Sequence, residues 1–129
     1  MRHRKTGRAL GRNSSHRKAM YRNMVTSLFQ HHRIETTEAK AKELRVISDQ
    51  MISLGKDGTL SARRLALAYI MDKNVVARLF ADLAPLFSRI QGGYTRLIKT
   101  RNRYGDGAPM AVVELTRTPT TADAAPAAV

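Results

Sequence analysis

Residues 94–117 read YTRLIKTRNRYGDGAPMAVVELTR: two β-prone runs on either side of a Gly105-Asp106-Gly107 turn, with Pro109 leading into the second run. In that second run Ala111, Val113 and Leu115 recur at every other position, the period of a strand that lays one face on a core. The pattern predicts a β-hairpin, and Gly92-Gly93 separates it from everything upstream. What precedes it is helical, so the hairpin makes this an α+β chain.

Working back from the glycines, Val76, Leu79, Phe80, Leu83 and Phe87 form the clearest amphipathic stripe, with Asn74 as candidate cap and Pro85 bending or ending the helix. SARRLALAYIM, residues 61–71, is apolar on nearly all sides after Arg63 and Arg64, which predicts a short helix buried in the core. From Glu38 to Leu54 the apolar positions Leu44, Ile47, Met51 and Leu54 keep helical spacing; Thr37 is placed to cap this helix and Gly55 to stop it. The short RIETT, residues 33–37, is β-prone and reads as a strand able to join the hairpin. Ser14 and Ser15 offer an N-cap for a first helix, residues 15–31, with Met20, Met24, Leu28 and Phe29 as its apolar positions. The plan is α-β-α-α-α-β-β, about four helices with a small three-stranded sheet.

Charge dominates the ends. Residues 1–34 hold nine Lys and Arg, all four histidines and no carboxylate; the first is Glu35. Residues 1–14 have almost no apolar surface to offset backbone ordering and read as a basic, extended arm. Residues 15–117 form the single α+β domain, and TPTTADAAPAAV, residues 118–129, reads as a disordered tail. The net charge is +13, a self-repulsion that a polyanionic partner relieves; phosphate neutralisation with counterion release makes nucleic acid the leading partner class. No apolar run approaches the span of a bilayer, the basic stretch has no Trp and no apolar face for a membrane surface, and zero Cys excludes disulfides and thiolate chemistry. The expected location is cytoplasmic.

Catalytic constellations are weak. His3, His16, His31 and His32 include no pair at the i, i+4 ligand spacing, so no metal or cofactor is expected. Ser14, Ser15, His16 and Asp106 lie in no nucleophile elbow, and Gly7, Gly11, Gly92 and Gly93 match neither the dinucleotide nor the P-loop spacing. Arg89, Arg96, Lys99, Arg101 and Arg103, interleaved with Tyr94 and Tyr104, are more informative. Alternation sends Lys99, Arg101 and Arg103 one way and Arg96 the other, so both sheet faces carry charge and this end is expected to be embedded in something anionic, best matched by RNA.

Three blocks carry a resemblance: MRHRKTGRALGRNSSHRKAMYRNM with SLFQHHRI after it, IETTEAKAKELR (residues 34–45), and GGYTRLIKTRNRYGDGAPMAVVEL (residues 92–115). Together they resemble the bacterial large-ribosomal-subunit protein seventeen family. That resemblance implies an α+β protein without enzymatic activity, taking no small-molecule substrate and no membrane, bound to large-subunit ribosomal RNA near the polypeptide exit tunnel and beside neighbouring large-subunit ribosomal proteins. Carried onto this chain, it implies an arm of Arg2, His3, Arg4, Lys5, Arg8 and Arg12 threaded between RNA helices. Arg17, Lys18 and Arg22 continue that contact along the first helix. Arg96, Lys99, Arg101 and Arg103 form a second RNA-facing surface, and His16, Arg33, Lys40 and Lys42 complete the candidate RNA-binding set. Two other classes compete. A free nucleic-acid-binding architectural or regulatory protein calls for a recognition helix, which no helix here supplies; an enzyme acting on RNA calls for a catalytic constellation.

Overall fold

The computed structural model of the chain describes residues 3–119. Helix α1 (Ser14–His31) begins at Asn13, whose side chain accepts from the His16 backbone N–H at 2.8 Å. The cap is therefore Asn13, one residue before the expected serines; Ser14 and Ser15 lie inside the first turn, and Asn is as good an acceptor for the orphan amides there. The buried stripe of α1 is Tyr21, Val25, Leu28 and Phe29, with Met20 and Met24 on its margin. α1 ends at His32, which takes the left-handed conformation (φ 66°) and donates its N–H to Leu28 O at 2.6 Å. That reversal delivers the chain into β1 (Arg33–Thr37).

β1 pairs antiparallel with β3 (Pro109–Leu115), from Arg33 opposite Glu114 to Thr37 opposite Met110. β2 (Thr95–Asn102) pairs with the other edge of β3, from Thr95 opposite Leu115, giving the sheet order β1-β3-β2. The hairpin and the joining first strand match the sequence reading, because the turn chemistry and the two-residue period act locally.

Helix α2 (Glu38–Asp57) packs across all three strands and beneath the later helices. It does not stop at Gly55: it runs one turn further and is capped by Gly58 at φ 68°, whose N–H reaches Leu54 O at 3.2 Å. Gly55 is instead a buried helical residue at a close crossing. The buried face of α2 is Ala41, Leu44, Ser48, Met51, Ile52 and Gly55, with Ile47 and Leu54 at its rim; Ser48 returns its hydroxyl to Leu44 O at 2.9 Å, which satisfies it inside the core.

Helix α3 (Leu60–Tyr69), capped by Thr59, overturns the expectation of a helix buried on all sides. It buries only Ala62 and Ala66, while Leu60, Leu65 and Leu67 face outward. A helix one layer from the edge has neighbours on one side only, and here the small residues take that side.

α4 (Lys73–Arg78) is capped by Asp72, which accepts from Asn74 N at 2.9 Å, rather than by Asn74 itself. It continues through a π-helical turn (Leu79–Leu83) into a last α-helical turn, α5 (Ala84–Leu86). Pro85 can donate no N–H and crowds the preceding turn; the wider π turn just before it, with Ala84 N–H bonded to Leu79 O, absorbs that defect and keeps the stripe facing inward. Val76, Leu79, Leu83 and Phe87 are all buried, and Phe87 meets Tyr94 edge-to-face at 5.3 Å. The core lies between the inner face of the sheet and α1, α2 and the α4–α5 stretch, with Leu28, Leu44, Ile52, Ile70 and Val113 fully enclosed. Among the described residues no helix is long and apolar enough to cross a membrane. Met1, Arg2 and the tail beyond Pro119 lie outside the described residues.

Candidate nucleic-acid interface

The arm, from His3 to Asn13, is a run of turns with Arg4, Gly7, Leu10 and Gly11 all at positive φ. Its base is tied to the helices. Arg17 donates to Arg12 O at 3.0 Å and Ala9 O at 3.4 Å, Arg12 donates to Leu10 O at 2.7 Å, and Arg8 reaches the Glu43 carboxylate of α2 at 3.8 Å. Arg4, Lys5 and Arg8 are exposed on this scaffold, as are His16 and Lys18 on the first turns of α1, whereas Arg2 falls outside the described residues. Arg17 and Arg12 thus shape the arm, and the Arg12 Nε is buried with no hydrogen-bond partner among the described residues.

Arg22 has an internal task that sequence reasoning missed. Its guanidinium donates to Tyr69 O at 2.6 Å and Ala68 O at 2.9 Å, satisfying carbonyls at the C-terminal end of α3. Only the fold brings these residues together.

A second group gathers on the sheet and the adjoining start of α2. Glu38, the first residue of α2, is shared by Lys42 at 2.9 Å and Lys99 at 3.3 Å, and these hydrogen bonds hold its carboxyl below the usual carboxylate range. Glu114 on the outer sheet face is shared by Arg33 at 3.8 Å and Arg96, whose Nε donates at 2.8 Å. Glu35 takes Arg101 at 3.7 Å and the Thr100 hydroxyl at 3.3 Å. Arg103, in the hairpin turn, grips Asp106 with two donors at 3.0 and 2.5 Å, which pulls that carboxyl down to about 2. Six cations share four carboxylates, and each cationic side chain keeps between 46% and 71% of its surface exposed. Exposed pairs of this kind contribute little to stability but hold long side chains in place, leaving net positive charge for a ligand. Lys40 is half-buried on the same helix.

The expected alternation along β2 holds only in part. Arg96 and Lys99 do point to opposite faces, but a bulge between Lys99 and Asn102 lets the consecutive Thr100 and Arg101 both reach Glu35. An extra residue in one strand resets the two-residue period, so Arg101 does not follow Lys99.

His32 was also beyond sequence reasoning in this role. Its ring lies 3.5 Å from the Arg78 guanidinium, its Nδ1 is buried without a partner among the described residues, and burial, reinforced by Arg78 and His31, pushes its pKa down. Among the described residues no group of three His, Asp or Glu side chains is placed to hold a metal ion.

A basic α+β scaffold whose exposed cations outnumber the carboxylates they share defines a polyanion-directed protein. The particular family follows from comparison: the profile of the family described as "Ribosomal protein L17" matches residues 20–116, and the chain belongs to that family. It is 56% identical over 115 residues to the large ribosomal subunit protein bL17 of Pelobacter propionicus, covering 89% of this chain and 91% of that protein. The bL17 proteins of Syntrophotalea carbinolica and Desulfotalea psychrophila are 59% and 60% identical over 115 residues; 89% of this chain matches 74% and 89% of their lengths.

Proposed function

We propose that this chain is a structural constituent of the large ribosomal subunit, cytoplasmic with it, that binds ribosomal RNA by neutralising phosphates and performs no bond-making chemistry of its own. The observation that carries this is the excess of exposed cations, six to four carboxylates on the sheet and the start of α2, held in place by ion pairs, with Arg8 of the arm paired to Glu43 and further exposed cations beside it. Fixed guanidinium and ammonium groups spaced over a sheet and an arm let phosphate backbones from separate RNA segments approach one another, which is what assembly of a compact ribonucleoprotein requires. The arm, Arg2 through Arg12, supplies one contact surface. Arg33, Lys42, Arg96, Lys99, Arg101 and Arg103 supply the other, and neighbouring ribosomal proteins pack on faces the RNA leaves free. The test is a chain lacking residues 1–12, expressed in place of the full chain: it folds, and its share in purified large subunits falls sharply. Full incorporation of that truncation overturns the role of the arm, and absence of the intact chain from large subunits overturns the reading as a whole.

A further inference from the structure

Where the arm folds back on α1 and α2 it encloses a cleft of about 410 Å³, walled by Arg4, Lys5, Arg8 and Arg17 and, among these cations, by Tyr21 of α1 and Glu43 of α2. Its volume is that of a pocket for one small ligand. Gly7, at φ 86°, brings the arm backbone over Glu43: a Cβ built on Gly7 would stand 3.6 Å from the Glu43 Oε2. The carboxylate is thus walled in, with 27% of its side-chain surface left exposed.

The cleft is chemically incomplete in the free chain. Tyr21 is only 6% exposed, yet its hydroxyl has no hydrogen-bond partner among the described residues, a desolvation left without compensation. Burial, reinforced by the Glu43 carboxylate, pushes the phenol above its ordinary value, which keeps it an O–H donor. Glu43 meets Arg8 at 3.8 Å, beyond hydrogen-bond length, so its oxygens can accept from a ligand. A phosphate alone answers the four cations but is repelled by Glu43. A guanine nucleotide answers every group: N1–H and N2–H are adjacent donors that one carboxylate accepts together, O6 beside them accepts from a phenol, and the nucleotide's phosphate meets the arm cations. The other bases fit less well, since adenine sets a bare N1 and cytosine a bare N3 against the carboxylate, and uracil offers one donor between two carbonyls.

We propose that this cleft receives one unstacked guanine nucleotide of large-subunit ribosomal RNA, its base on Glu43 and Tyr21 and its phosphate on the arm cations, so that a chain otherwise directed at phosphates reads one base. The proposal rests on the ribosomal reading above.

The test measures binding of the full chain to short oligouridine RNAs that carry one central guanine, inosine, adenine or cytosine, alongside the all-uridine strand, at one fixed salt concentration. The guanine strand is expected to bind about tenfold more tightly than the adenine, cytosine and all-uridine strands, and inosine, which lacks the N2 amine, to lose about threefold of that. Glu43→Gln is expected to shrink the guanine preference below about twofold while binding the all-uridine strand at least as tightly, because a negative charge beside the phosphates is gone. Tyr21→Phe is expected to weaken the guanine strand alone, by about threefold. Equal affinity for all strands overturns the proposal, as does a Glu43→Gln chain that tightens on every strand equally, which leaves the carboxylate a mere repulsion. A guanine preference that survives in both variants places it outside the cleft and overturns the proposal too. The inosine comparison uses the unaltered chain and decides the matter if the variants fail to fold: inosine bound as tightly as guanine removes the role of Glu43. Sedimentation of the chain with large subunits reads the ribosomal role separately. A chain absent from large subunits that still prefers guanine overturns that role and leaves the cleft a guanine site, whereas a chain present in them without the preference overturns the cleft alone.

Discussion

Gly55 of α2 lies against Ala84 of α5: a Cβ built on Gly55 would stand 3.1 Å from the Ala84 Cβ and 3.4 Å from the Leu79 Cγ. Two helices cross there so closely that a methyl group at this position requires its neighbours to give slightly. Two terms oppose each other on substitution. Glycine inside a helix costs roughly 0.5–1 kcal/mol relative to alanine, whereas overpacking a close crossing costs about 1–3 kcal/mol. Gly55→Ala is therefore expected to be nearly neutral in urea denaturation. Gly55→Val adds two methyl groups to the same gap and is expected to lose about 2–3 kcal/mol. A valine variant as stable as the alanine variant shows that the crossing is looser than this geometry.

The same glycine shows where sequence reasoning reaches its limit. As punctuation Gly55 and Gly58 are equivalent candidates for a helix stop; what separates them is Ala84, a residue distant in sequence that the fold brings alongside. The strands were legible because alternation at Ala111, Val113 and Leu115 and the Gly105-Asp106-Gly107 turn are local signals. The burial of α3 was not legible, since Leu65 and Ala66 are both apolar and only the position of α2 decides which of them is covered. The site divides likewise. Charge density along the arm and β2 is visible in one dimension, but that Lys99 and Lys42 share Glu38, or that Arg22 satisfies the end of α3, depends on contacts between elements. The bulge in β2 left no residue signature to predict it.

His32 holds φ at 66° to close α1, a conformation costly for a residue with a Cβ and free for glycine. His32→Gly is expected to raise stability by about 0.5–1 kcal/mol, and His32→Val to lower it by about 1–3 kcal/mol. The histidine also couples stability to pH. Its folded pKa lies below the ordinary 6.5, so its contribution is present above 6.5 and is lost as pH falls through the folded value. Thermal melts between about pH 5 and 8 therefore decline on the acid side in the parent chain and decline less in His32→Gly. Equal acid sensitivity in both chains refutes the assignment.

Asp106 is expected to titrate near 2 rather than at its ordinary 3.8, because Arg103 donates twice to it and the Ala108 N–H donates once, at 3.2 Å. The depressed value means its favourable contribution is complete above 3.8 and disappears as pH falls through about 2. NMR of the side-chain carboxyl reads this directly. In Arg103→Ala the midpoint is expected to move up toward 3.8, with the backbone amides of Ala108 and Asp106 itself left to hold it down. A midpoint that stays put assigns the shift to the turn backbone instead.

The shared carboxylates give RNA binding a sign that a simple charge count misses. Arg96, Lys99 and Arg101 each face a carboxylate in the free chain and stay exposed enough to reach a phosphate. Replacing each by Ala is expected to weaken binding to a large-subunit RNA fragment and to reduce the logarithmic salt slope by about one per residue, measured between about 50 and 200 mM salt. Glu38→Gln works in the opposite direction: it releases Lys42 and Lys99 from their common partner, so binding tightens at low salt and the slope steepens. The opposed effects separate phosphate neutralisation from fold maintenance, because loss of structure lowers binding in every variant. Weaker binding in Glu38→Gln, with the fold intact by circular dichroism, means that Glu38 serves to aim the two lysines and that their geometry outweighs their charge.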